Sequence, residues 1–107
     1  MKRIGFILKV HKEMIPEYRQ RHKNVWPEMK AALSRTGWHN YSLFMRDDGL
    51  LFGYFETSKD FKSALDGMEK EEINAKWQES MKPFFENLEG KRADKSMLEL
   101  EEVFHLD

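Results

Sequence analysis

The sequence of 107 residues predicts an α+β fold, with one sheet of four strands and helices packed against it. Two observations support this prediction. Apolar residues alternate with polar ones at period two in short segments, and they recur at helical spacing in two longer regions. Because the short segments are separated by helical regions or by a turn, the elements follow the order strand, helix, strand, strand, helix, strand.

The first strand is predicted over residues 4–10, where apolar side chains alternate along the chain. A helix then begins at Pro16, a residue favoured at the first helical position because it has no N–H to leave unpaired. That helix runs to Val25. Pro27 disfavours helical geometry in the residue before it, so the helix should kink or restart there and continue over 28–36.

The next elements form a predicted hairpin. Gly37 is a natural helix-ending residue, and an aromatic-rich strand follows over 38–46. Asp47-Asp48-Gly49 predicts a turn before a third strand over 50–56. The remaining elements are a helix after the Thr57–Asp60 cap that bends near Gly67, a helix over 73–84, a loop over 86–96 and a strand over 97–106. This order is that of the split βαβ arrangement called ferredoxin-like.

The composition excludes several classes of function. The length suits one domain spanning 1–107. A formal net charge of −1 offers no broad attraction for nucleic acid or anionic lipid. The chain has no cysteine, which excludes disulfides and thiol nucleophiles, and its four histidines lack the compact spacing of metal ligands, so no metal is expected. The apolar run that Lys9 ends is too short for a signal peptide, and we expect a cytoplasmic protein without a membrane span.

Tyr18 and His22 are the first candidates for chemistry. On a helix they lie one turn apart on the same face, so a phenol and an imidazole can address one small volume. An imidazole titrates near neutral pH, and a phenol can donate to or accept from a hydroxyl. The pair therefore suits acid–base work, although a half-exposed histidine beside a packed tyrosine would give the same spacing.

Tyr41 and Trp77 are further candidates. Strict alternation on the second strand places His39 and Tyr41 on one face and Asn40 on the other, and Tyr41 is the better candidate if helices cover its face. Trp77 lies among apolar residues of the last helix, where an indole can serve as a platform for the C–H face of a sugar. The alternative for each aromatic residue is a position in the core.

Taken together, these residues resemble the L-rhamnose mutarotase family over essentially the whole chain. The resemblance is carried by Tyr18, Arg21-His22, Trp26-Pro27-Glu28, His39-Asn40-Tyr41, Trp77 and the closing Glu102-Val103-Phe104-His105-Leu106. It implies a sugar epimerase that needs no cofactor, acts at the anomeric carbon, and pairs as a homodimer with the architecture called a dimeric α+β barrel.

The resemblance also implies roles for individual residues. It makes His22 the proton donor and Tyr18, Tyr41 and Trp77 the residues that bind the sugar. Members of the family often carry a second tryptophan directly after the one matching Trp77, whereas this chain has Gln78. We therefore place Gln78 in the predicted substrate-binding set and expect it to alter the surface on which the sugar stacks.

Two other classes of function remain open at this stage. A cofactor-free monooxygenase with the same dimeric fold would use the aromatic residues to line an apolar cavity. A non-catalytic binding module of that fold would bind a ligand without converting it, and His22 would then be dispensable. An anomer-exchange assay on L-rhamnose and related deoxy sugars separates both from a mutarotase.

Overall fold

The structure, a computed structural model, describes residues 1–88 and 90–107; Glu89, in the predicted loop over 86–96, lies outside the described residues. The described elements are β1 (Lys2–Lys9), α1 (Ile15–Lys23), α2 (Pro27–Arg35), β2 (His39–Met45), β3 (Leu50–Thr57), α3 (Phe61–Glu69), α4 (Glu72–Met81) and β4 (Leu98–Leu100). Short 3₁₀ turns cover Lys12–Met14, Lys82–Phe84 and Ala93–Lys95.

The four strands form one antiparallel sheet in the order β2-β3-β1-β4. The first strand lies in the middle, next to the third and the last, and the second strand lies at the edge. This is the strand order of the split βαβ arrangement, so the ferredoxin-like prediction is confirmed.

The helices cover one face of this sheet. Ile4, Phe6 and Leu8 point to that face and are buried, whereas Gly5 and Ile7 point to the other and are only half-buried. The ring of Phe6 packs over the backbone of β3 at Gly53, where an added Cβ would lie 2.2 Å from the Phe6 ring. Only glycine leaves room there, so Gly53 provides the space that the Phe6 ring occupies at the centre of the core.

The ends of the helices follow from local sequence. The first helix ends at Lys23, and a second begins at Pro27, so the predicted restart is confirmed. Gly37 adopts φ +94°, and the N–H of Trp38 donates to the carbonyl of Leu33 at 2.9 Å, which closes a Schellman motif. This motif directs the chain from α2 straight into the hairpin.

One prediction of an element needs correction. The last strand, predicted over 97–106, is assigned only over Leu98–Leu100. Leu100 pairs with Gly5. Arg3, two residues before Gly5, binds Glu102 through a bidentate ion pair, with Nε–Oε2 at 2.6 Å. Since β1 begins at Lys2, residues 104–106 extend past the strand that would pair with them, whereas 101–103 lie opposite β1 without strand pairing. Within residues 1–88 and 90–107, the helices are too short or too polar to cross a bilayer.

Candidate active site

A cavity of about 420 Å³ lies between the helices and the inner face of the sheet. Its lining includes all five predicted site residues: Tyr18, His22, Tyr41, Trp77 and Gln78. It also includes three polar residues that sequence reasoning missed: Lys30, Asn74 and Asp94. The fold therefore brings α1, α4 and the edge strand β2 around one volume, although these elements are far apart along the chain.

Tyr18 and His22 meet as their spacing predicted. Both lie on α1, their rings stack with centroids 4.1 Å apart, and His22 Nδ1 lies 3.0 Å from the carbonyl oxygen of Tyr18. A carbonyl can only accept, so Nδ1 carries the proton and Nε2 is the nitrogen left for a ligand. The His22 ring also contacts Trp77 nearly at right angles, with centroids 5.6 Å apart.

The environment of His22 keeps its imidazole neutral near pH 7. Burial lowers its pKa from the ordinary value of 6.5, and the hydrogen bond to the Tyr18 carbonyl offsets only part of this effect. A neutral imidazole with its proton on Nδ1 has a lone pair on Nε2. In its resting state His22 is therefore poised to accept a proton from a ligand.

The phenols of Tyr18 and Tyr41 are unpartnered within the described part of the chain. Every fully buried side-chain nitrogen or oxygen there has a hydrogen-bond partner, so these two oxygens must keep contact with the cavity. Burial raises the pKa of both phenols, and for Tyr18 the nearby Tyr41 contributes further. Both hydroxyls therefore stay protonated and can donate to, or accept from, a ligand hydroxyl.

The tryptophans divide into core and cavity residues. Trp38 stacks on Phe55 with ring centroids 4.0 Å apart, and its Nε1–H donates to the carbonyl of Ala64 at 3.2 Å. The indole N–H of Trp77 has no acceptor among the described residues, and the ring contacts Trp26 edge to face at 5.0 Å. Trp38 is therefore a core residue, whereas Trp77 presents both a ring and a hydrogen-bond donor to the cavity.

The predicted side-chain alternation on β2 is wrong at its start. His39 pairs with Glu56 and Ser42 with Tyr54, so three steps on β2 match two on β3, which is the signature of a β-bulge. Asn40 adopts φ +49° within the bulge. Because of the extra residue, His39 lies on the face opposite to Tyr41, and only Tyr41 reaches the cavity.

Gln78 belongs to a buried polar network along the cavity wall. Its Nε2 donates to Asn74 Oδ1 at 3.1 Å, and its Oε1 accepts from the backbone N–H of Asp94 at 3.3 Å. Asn74 Nδ2 donates to Asp94 Oδ2 at 2.9 Å, and Arg92 binds both oxygens of that carboxylate. These bonds tie the segment 92–94 to α4. Among the described residues, no group of three or more His, Cys, Asp or Glu side chains has metal-site geometry.

Comparison with known proteins gives one consistent result. Residues 3–106 match the family model described as L-rhamnose mutarotase. Curated L-rhamnose mutarotases from Oceanobacillus iheyensis and Bacillus subtilis are 41% and 38% identical, each over the full length of both chains. The crystal structure of an L-rhamnose mutarotase from Formosa agariphila superposes with a TM-score of 0.80 at 29% identity, again over both full chains.

The unpartnered phenols lead to a prediction about stability. In Tyr41→Phe, we expect the free energy of unfolding to change by less than about 0.5 kcal/mol, because the hydroxyl has no protein partner to lose. Trp38→Phe should cost more than about 1.5 kcal/mol, since it breaks the bond to Ala64 and leaves a void. Urea unfolding followed by circular dichroism measures both. A large loss in Tyr41→Phe would show that its hydroxyl is a structural group.

Proposed function

The chain belongs to the L-rhamnose mutarotase family, and on that premise we propose that it interconverts the α and β anomers of L-rhamnopyranose. The observation that carries the proposal is one cavity in which an imidazole, two unpartnered phenols and an indole face meet. Such a set can bind hydroxyl groups, stack on an apolar sugar face and move a proton.

Anomer exchange requires little beyond proton transfer. Ring opening breaks the C1–O5 bond, removes the proton from the C1 hydroxyl and adds a proton to O5, which leaves an open-chain aldehyde. Rotation about C1–C2 followed by the reverse step gives the other anomer. The net change on opening is the movement of one proton from O1 to O5, and both oxygens are bonded to C1.

We assign this proton transfer to His22. The neutral Nε2 accepts the O1 proton, and the resulting imidazolium donates it to O5; ring closure reverses both steps. The bond from Nδ1 to the Tyr18 carbonyl holds the imidazole in the tautomer that this sequence needs. The role of proton donor, which the family resemblance implies, is then the second half of the transfer.

The other cavity residues hold the sugar in this account. Tyr18 and Tyr41 keep their protons and bind ring hydroxyls through phenols that have no partner in the described residues. Trp77 offers an indole that supports an apolar sugar face, such as one carrying the 6-deoxy methyl. Gln78 completes the set from the next position on α4.

We further propose that two copies pair through the uncovered face of the sheet. That face exposes four large apolar side chains: Phe44, Phe52, Leu98 and Leu100. The most exposed of them is Leu98, at 63%. A contiguous apolar surface of this kind is typical of an interaction site. A two-fold pair of sheets would cover it on both copies at once, as a homodimer with the dimeric α+β barrel architecture.

A cytoplasmic location remains a prediction. The chain has no cysteine, as suits a reducing compartment, and an open-chain or pyranose sugar is a typical metabolic substrate there. Localisation of a tagged chain by cell fractionation would test it.

Substitution of His22 tests the catalytic assignment. Anomer exchange on L-rhamnose is measured by saturation-transfer NMR, and the uncatalysed rate is subtracted. In His22→Ala we expect the remaining, enzyme-catalysed rate to fall by about 10²- to 10⁴-fold. His39→Ala is the matched control because His39 is exposed and lies on the opposite face from the cavity. Full exchange in His22→Ala would refute the assignment, and ligand binding without exchange in the wild type would favour a binding module.

The pH dependence follows from the direction of the His22 shift. Because the neutral form acts first, kcat/KM should be flat above the His22 pKa and fall about tenfold per pH unit below it. Burial places that midpoint below 6.5. The measurement is exchange by NMR between pH 4.5 and 8, corrected for buffer catalysis. A rate that instead declines as the pH rises through neutrality would mean that the resting imidazolium is the acid.

Phe44→Lys tests the dimer. Phe44 is 61% exposed and packs only loosely on Phe52, with ring centroids 6.3 Å apart, so a lysine there should leave the fold intact. We expect the wild type to sediment as a dimer and Phe44→Lys to sediment as a folded monomer, since a buried unpaired charge would oppose pairing. A wild-type chain that is monomeric at all concentrations by analytical ultracentrifugation would contradict the proposal.

A further inference from the structure

The mouth of the cavity carries a cation that the proposed reaction leaves unused. Lys30 lines the cavity from α2, as do Met29 and Leu33 on the same helix. Met29 is 5% exposed, whereas Lys30 is an exposed residue. A side chain that both lines a cavity and is open to solvent lies at its opening, so Lys30 marks the mouth on the α2 side.

Lys30 supplies the one uncompensated charge among the lining residues that the structure describes. Three of these residues have a side chain that can carry a full charge near neutral pH: His22, Lys30 and Asp94. Burial lowers the pKa of His22, so its ring is neutral, and Arg92 binds both carboxylate oxygens of Asp94. The ion pairs that the described parts of α1 and α2 form do not involve Lys30.

The two helices on this side add to the positive field of Lys30. Residues 15–35 contain five basic and only two acidic side chains, although the whole chain has a net charge of −1. A local excess of positive charge raises the concentration of anions near the mouth. A neutral sugar has no charge on which this field can act, so the field favours a ligand that carries an anionic group.

The cavity also has more room than L-rhamnose fills. Its volume of about 420 Å³ equals that of about 14 water molecules, at ~30 Å³ each. L-rhamnose has fewer non-hydrogen atoms than that, and they are packed at bonded distances. A phosphate or carboxylate group added to the sugar can therefore be accommodated between the ring and the mouth.

Lys30 lies toward the end of the cavity at which Trp77 would support C6 of the sugar. The backbone N–H of Lys30 donates to the Trp26 carbonyl at 3.1 Å, so Lys30 follows Trp26 by one helical turn. The Trp77 ring contacts Trp26 at 5.0 Å and His22 at 5.6 Å between centroids. The proposed reaction keeps C1 and O5 beside His22 and the C6 methyl on the indole, so a group added at C6 would extend toward α2.

We propose that the cavity also takes hexoses with an anionic group on C6, a phosphate ester or a carboxylate, and that Lys30 is the residue that selects them. This inference rests on the proposed function, because the reaction is the same ring opening and closure at C1. His22 still moves the proton from O1 to O5. Lys30 binds the anion as a point charge and does not touch the reacting atoms.

The test compares three sugars that differ only at C6: L-rhamnose, L-mannose 6-phosphate and L-mannuronate. Each has a free C1 hydroxyl, so its anomer exchange can be followed by saturation-transfer NMR, and we expect the wild type to exchange at least one of the anions. Lys30→Met keeps the length of the side chain and removes its charge. It should lower the ratio of kcat/KM for that anion to kcat/KM for L-rhamnose about three- to tenfold. Lys30→Glu should lower this ratio further, because like charges repel.

Lys23→Met is the matched control. Lys23 is the last residue of α1, is exposed and lies outside the cavity lining, so its substitution makes the same change of net charge away from the mouth. Here the ratio should stay within twofold of the wild type. An equal fall in Lys23→Met and Lys30→Met would show an effect of net charge alone and would overturn the assignment to Lys30. Raising the ionic strength from about 0.01 M to 0.15 M should lower the ratio in the wild type more than in Lys30→Met.

Failure of this inference and failure of the proposed function give different results. A wild-type chain that exchanges L-rhamnose but neither anion would overturn the inference and leave the proposed function standing. An anion exchanged with the same ratio by the wild type and Lys30→Met would overturn the role of Lys30. A higher ratio for the phosphate would identify hexose 6-phosphates as the ligand class, and a higher ratio for the carboxylate would identify hexuronates. Absence of exchange on L-rhamnose itself would overturn the proposed function.

Discussion

All of the helices pack against one face of the four-stranded sheet, so each strand has one covered side and one open side. The covered side includes Phe6, which is fully buried and packs over β3 at Gly53, where a side chain would clash with its ring. Phe6 also lines the cavity that lies between the helices and this face of the sheet. The open side keeps its apolar residues exposed. The same one-sidedness thus creates an internal site for a small ligand and an external surface suited to a second copy.

The chemistry of the cavity depends on a backbone carbonyl as much as on side chains. The Tyr18 carbonyl holds Nδ1–H of His22, and burial keeps the ring neutral, so Nε2 becomes a base. Two phenols that cannot ionise near neutral pH complete a set of hydrogen-bonding groups with no permanent charge of their own. Such groups suit a neutral sugar, since none of these three side chains has to be buried as a charge when the sugar binds.

The sequence was most informative where the relevant contacts are local. The spacing of Tyr18 and His22 predicted their stacking because residues four apart on a helix are neighbours, and Pro27 predicted the break between two helices because it lacks an N–H. The sequence did not predict contacts between side chains that are far apart in the chain. The network of Asn74, Gln78 and Asp94 joins residues up to 20 positions apart, and such a pairing leaves no periodic signal.

The two corrected strand predictions concern the start of β2 and the end of β4. A single extra residue between His39 and Ser42 reverses every face assignment that precedes it, and hydrophobic alternation cannot reveal such a bulge. The last strand stops at Leu100 although its pattern continues and Lys2, Arg3 and Ile4 remain on β1; beyond Leu100 the Arg3–Glu102 ion pair still joins the two segments, and only 104–106 extend past the start of β1.

The cavity beside His22 is the proposed sugar-binding site. A crystal structure with L-rhamnose tests it most directly: we expect O1 or O5 within hydrogen-bond distance of His22 Nε2, and a sugar bound outside the cavity would contradict the account.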